Sequence, residues 1–136
     1  YLDYFLPSEE QAMLLAGTED VEAMAEFFLK SGVKRVVIKL GSRGCFCKTA
    51  ETAFYCGCYD IPVVETTGAG DAFVAGFLSG VLRNGSMEDC VRLGTAASAH
   101  VIQCVGANTG IRDLKTLIAF IEAHPLEIRY MENNSL

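Results

Sequence analysis

TTGAGDAF, residues 66–73, stands between the apolar run IPVV, residues 61–64, and the long apolar segment Phe73–Leu82. Strand-like run, small-residue turn and helix-like run follow in that order, and their reading decides the fold. A tight turn is served by one glycine. Here Gly68 and Gly70 flank Ala69, with Asp71 directly after, so the backbone has to come close to something and a charge stands beside it. The Gly68, Ala69 and Gly70 peptides lead into a helix expected from about Asp71 to Leu82, whose first N–H groups have no intrahelical acceptor. Such a turn can aim several donors at one anion, a phosphate or a charge developing in a transition state. Asp71 opposes that anion. Either it is a base that takes a hydroxyl proton while the amides hold a phosphoryl group, or it complements the helix dipole while the glycines permit close packing. The residues alone leave both open.

Outward from this turn, strands and helices alternate. Residues 2–6 predict a strand ended by Pro7, with Ser8 as N-cap of a helix that stops at Gly17. Asp20 opens a second helix whose Val21, Met24, Ala25, Phe28 and Leu29 recur at helical spacing, with Gly32 as its stop. KRVVIKLG, residues 34–41, is a β-branched run of strand type, and strand–helix–strand favours a parallel crossover. Residues 45–59 predict an antiparallel hairpin turning near Ala50 and Glu51. Downstream, Ser86 can cap a helix with Glu88 and Asp89 in its first turn, and a last helix is stopped by Pro125. The small residues Ala72, Ala75, Gly76, Ser79 and Gly80 predict a helix face pressed close to a neighbour.

The chain has 136 residues, half of them apolar and 21% charged, a globular composition with room for a real core. Its net charge of −6 and the lack of a Lys/Arg stripe argue against nucleic-acid binding. No membrane span or secretory signal is visible, so the expected location is the cytoplasm, with the six cysteines as reduced thiols. The Walker pattern is absent, and Phe73 occupies the place of the third glycine in a dinucleotide fingerprint.

ETTGAGDAFVAGFLSGVL, residues 65–82, resembles the C-terminal signature of the ribokinase-like (PfkB-type) carbohydrate kinases, D-T-x-G-A-G-D-x-F. DYFLPSEEQAMLLAG resembles that family's strand and P-N-x-x-E helix start, VVIKLGSRG its strand and L-G-x-x-G nucleotide loop, and CVGANTG its late glycine segment. The resemblance covers nearly the whole chain. It implies an α/β three-layer sandwich with a mostly parallel sheet plus a short β-hairpin, residues 1–136 being the C-terminal nucleotide-binding and catalytic part, without the N-terminal substrate and lid half. It implies transfer of the ATP γ-phosphoryl to a hydroxyl of a sugar or nucleoside, with Mg²⁺, and leaves room for K⁺ and for a homodimer through the lid half. Asp71 becomes the catalytic base, with Gly68, Ala69 and Gly70 as anion hole. Lys39, Gly41, Arg43, Gly44, Thr67, Ala97 and Asn108 fall at nucleotide-binding positions, and Glu65, Thr67, Gly106 and Gly110 at those lining a monovalent-cation site. A non-catalytic nucleotide-binding or regulatory homologue is the alternative.

One departure bears on metal use. Ser8 and Gln11 stand where the family has Asn and Glu, so a carboxylate that supports the magnesium network through waters is a neutral amide here. Glu9 or Glu10 compensates only if the helix start shifts. Cys45, Cys47, Cys56 and Cys58 form two C-x-C pairs on the hairpin. Four thiolates on one strand face could hold Zn²⁺, but an extended C-x-C splays its ligands, which favours small buried hydrophobes over a zinc site.

Overall fold

The computed structural model describes residues 2–57, 69–103 and 114–131. They fall into two compact units, Tyr1–Cys58 with Glu127–Leu136, and Tyr59–Leu126.

The first unit holds β1 (Leu2–Phe5), α1 (Glu9–Ala16), α2 (Val21–Lys30), β2 (Val33–Lys39), a 3₁₀ turn at Gly41–Arg43, β3 (Cys45–Thr49), β4 (Ala53–Cys56) and β5 (Ile128–Tyr130). Its sheet runs in the order β1-β2-β3-β4-β5. β1 and β2 are parallel, joined through α1 and α2 as the sequence predicts. A parallel link needs a dozen or more residues. Only residues 40–44 join β2 to β3 and only 50–52 join β3 to β4, so both of those pairs are antiparallel. The described sheet is therefore mixed, and the strand-like run 61–64 lies outside the described residues. β5, antiparallel to β4, is an element that the sequence reading missed. Three residues are too few to show a period. The strand is held by partners instead, with Tyr130 against Phe54 at 5.6 Å between ring centroids and Arg129 5.5 Å over the Tyr55 ring.

α1 starts where its capping chemistry dictates. Ser8 Oγ accepts from the Gln11 amide at 3.2 Å, and Gln11 Oε1 accepts from the Ser8 amide at 3.0 Å, a reciprocal capping box. Gly17 ends the helix at φ 72°, the left-handed conformation glycine adopts without strain. α2 buries Val21, Met24, Ala25 and Phe28, one stripe at helical spacing, against Val36, Ile38 and Phe46 of the sheet. Each large side chain so buried contributes about 1.5–3 kcal/mol. The register puts Val37, Cys47 and Phe54 on the opposite face, with Cys45 beside Cys56, and all five are buried too. Burial on both faces explains the continuous apolar run in β2.

The second unit holds α3 (Ala69–Leu82), α4 (Met87–Gln103) and α5 (Leu114–Ala123). α3 begins two residues before the expected Asp71, so Ala69 and Gly70 belong to its first turn. α4 is capped by Ser86, whose hydroxyl accepts from the Asp89 amide at 3.1 Å. The small residues of α3 meet α4 at near-contact distance. A Cβ built on Gly76 would lie 2.4 Å from the Leu93 carbonyl oxygen, and one on Gly80 would lie 2.9 Å from Cys90 Cα. Gly94 of α4 reciprocates against the Phe73 carbonyl oxygen at 2.9 Å. Ala72, Leu93, Ala96 and Ala97 form the small core, with Ile118 and Ile121 of α5 packed against it.

Candidate active site

β1 and β2 are parallel, and ligands of open α/β sheets bind beyond the carboxyl ends of such strands. At that end of the first unit two chain segments are stitched together. The Lys39 amide donates to the Pro7 carbonyl at 2.9 Å, and Ser8 pairs with Lys39 as an isolated parallel bridge. The chain then turns through Gly41–Arg43, closed by Leu40 N–H to the Gly44 carbonyl at 2.8 Å and Gly44 N–H to the Gly41 carbonyl at 3.0 Å.

The two glycines of this turn differ in kind. Gly41 has φ 63°, and a Cβ on it would meet nothing within 4 Å. Gly44 has φ 92°, and a Cβ there would stand 1.9 Å from the Cys56 carbonyl oxygen. Gly41 thus opens onto space that a ligand can enter, whereas Gly44 has a packing reason sufficient in itself. The Leu40, Arg43 and Gly44 amides are used inside the turn, Arg43 N–H donating to the Leu40 carbonyl at 3.3 Å. What the turn presents outward includes the guanidinium of Arg43, ion-paired with Glu9 at the start of α1. That carboxylate, by hydrogen bond and by charge, raises the Arg43 pKa above its ordinary value.

α1 does not shift to bring a carboxylate into the place of Gln11. Ser8 and Gln11 satisfy one another in the cap, and Glu9 holds Arg43. Residues 8 and 11 thus bring neutral oxygens to this corner, each already accepting within the cap.

In the second unit Asp71 is the third residue of α3, with Ala69 and Gly70 before it in the first turn, where N–H groups lack intrahelical acceptors. Ala97 is fully buried, and the Cβ a residue at Gly76 would carry lies 2.9 Å from its own. Its small size serves the α3–α4 contact whatever else it does. The structure thus groups Lys39, Gly41, Arg43 and Gly44 in the first unit and Ala69, Gly70, Asp71 and Ala97 in the second. Glu65, Thr67, Gly68, Gly106, Asn108 and Gly110 lie outside the described residues. Sequence reasoning missed the Glu9–Arg43 pair, because 34 residues separate its members.

Cys45, Cys47, Cys56 and Cys90 are buried, and among the described residues no three His, Cys, Asp or Glu side chains could hold a metal ion together. Cys58 and Cys104 lie outside the described residues. Among those residues no helix is long and apolar enough to cross a membrane.

A family model described as pfkB family carbohydrate kinase matches residues 1–114. The chain belongs to the pfkB carbohydrate kinase family. It is 38% identical over 122 residues to the 2-dehydro-3-deoxygluconokinase of Bacillus subtilis, covering 89% of this chain and 38% of that protein. The ribokinase of Arabidopsis thaliana, solved with ribose and ATP, superposes with a TM-score of 0.77 at 31% identity over 88% of this chain and 41% of its own. An Escherichia coli protein solved with ATP and Mg²⁺ gives a TM-score of 0.82 at 28% identity over 90% of this chain and 40% of its own. The chain thus spans about two fifths of each of these three proteins, and its fold is that of the matched part of the two solved structures.

Proposed function

We propose that this chain supplies the nucleotide-binding and catalytic part of a kinase that transfers the γ-phosphoryl of ATP to a hydroxyl of a sugar or nucleoside. The observation that carries the reading is Asp71 in the first turn of α3, within a stretch matched to the pfkB family. The ATP and Mg²⁺ bound by the Escherichia coli protein and the ribose and ATP bound by the Arabidopsis ribokinase support it.

In this reading Asp71 accepts the proton of the acceptor hydroxyl as its oxygen attacks the γ-phosphorus and ADP leaves. The Gly68–Gly70 amides stabilise the charge on the transferring phosphoryl, with Ala69 and Gly70 at the positive end of the α3 dipole. The open side of Gly41 admits the nucleotide phosphates, and Arg43 and Lys39 add positive charge. Mg²⁺, when bound, neutralises phosphate charge. A screen of sugars and nucleosides with ATP, using a folded polypeptide that carries residues 1–136, tests the reading. Phosphorylation of none of them, with ATP bound normally, would favour a non-catalytic nucleotide-binding homologue.

Two substitutions probe the first unit. Asparagine tolerates φ near 63° and meets open space at position 41, so Gly41→Asn should cost at most about 1 kcal/mol of stability. Its side chain occupies the phosphate approach, and ATP affinity should fall about tenfold, or about 1.4 kcal/mol. Unchanged ATP binding by calorimetry would remove the turn from the nucleotide site. Gln11→Glu preserves the N3 acceptor of the capping box and restores a carboxylate. The Mg²⁺ concentration giving half-maximal rate should drop severalfold with the melting temperature nearly constant, and an unmoved Mg²⁺ dependence would exclude this corner from the metal's surroundings.

A further inference from the structure

We propose that Glu9 is a positioning residue for nucleotide binding, tethering Arg43 by a single N–H so that the remaining guanidinium donors face a phosphate at the Gly41–Gly44 turn. This deepens the phosphotransfer reading and rests on it. Glu9 is the first residue of α1, and its side chain is 28% exposed against 61% for Arg43, so the carboxylate is the anchored partner and the guanidinium the one facing solvent. Both ends of the pair are fixed by backbone contacts. The Ser8–Gln11 capping box and the Pro7–Lys39 hydrogen bond hold the start of α1, and the Leu40–Gly44 hydrogen bonds hold the turn.

The contact is monodentate, Arg43 Nη2 donating to Glu9 Oε1, and among the described residues Arg43 donates no other side-chain hydrogen bond. A guanidinium carries five N–H donors in a planar fork. A bidentate carboxylate would compete with phosphate for the fork, but a single contact leaves most of it available. A free arginine side chain carries rotamer entropy that is lost when it closes on a ligand. A tether that has already restricted the side chain reduces that loss at binding.

The test is a double-mutant cycle in an active polypeptide carrying residues 1–136, read as ATP Kd by calorimetry and as KM and kcat. Glu9→Ala should weaken ATP binding about three- to fivefold, the scale of an exposed ion pair, with kcat within about twofold. Glu9→Gln keeps an acceptor for Nη2–H and should bind ATP like the parent. Arg43→Met should weaken binding about tenfold, and Glu9→Ala should add nothing in that background. Glu9→Ala acting fully in the Arg43→Met background, or lowering only the melting temperature, overturns the tether and leaves the phosphotransfer reading intact. An Arg43→Met protein that binds ATP like the parent overturns both the tether and the assignment of Arg43 to the nucleotide.

Discussion

Replacing Asp71 by asparagine is expected to lower kcat by at least two orders of magnitude while ATP still binds. Asparagine preserves size and the start of α3 but removes the proton acceptor, and general-base catalysis contributes about 10²- to 10⁴-fold. Loss of one negative charge near the phosphates should leave nucleotide Kd equal or slightly lower, so kcat/KM falls through kcat. If Asp71 only complements the α3 dipole, the pattern reverses, with stability lower by about 0.3–1 kcal/mol and turnover nearly intact. Measuring kcat, ATP Kd and Tm on this one variant decides between the two. A near-normal kcat with a lowered Tm would take Asp71 out of the mechanism.

The second large effect is on stability. Gly44→Ala forces a Cβ to 1.9 Å from the Cys56 carbonyl oxygen at φ 92°, and the obstacle is backbone of a paired strand. Strain at such a φ costs about 1–3 kcal/mol and overpacking about as much again. Together they would remove about 2–6 kcal/mol of the 5–15 kcal/mol that keeps a typical domain folded. Gly41→Ala is the control. The backbone there is left-handed too, but a Cβ meets open space, so the cost should be about 1 kcal/mol. Urea midpoints read both. Equal losses for the two alanines would show that the approach of Gly44 to β4 is not what fixes the turn. Both glycines look alike as G-x-x-G in the sequence, and only their surroundings make one a packing requirement and the other an opening.

Helix starts were legible because capping is local. Ser8 and Ser86 announce α1 and α4 as N-cap residues, and the structure contains both caps. The β1–β2 crossover was legible for a similar reason, since apolar periods of strand, helix and strand leave few topologies once connections are right-handed and short. β5 was not legible, because a three-residue strand carries no period and exists through its partners on β4. Nor was the start of α3 legible, since glycine and alanine on either side of a boundary give no capping signal.

The sequence by itself determined the order of the described elements from β1 to α5, the family and the residues proposed for the chemistry, since these depend on period, capping and a contiguous motif. Only the tertiary structure decided that Ser8 and Gln11 are turned on each other, that Glu9 holds Arg43, and that Gly44 rather than Gly41 is sterically obligatory. The first choice depends on which donor each side-chain oxygen accepts from. The other two depend on atoms brought together from segments 34 and 12 residues apart, and such distances are set by how the sheet and its helices pack.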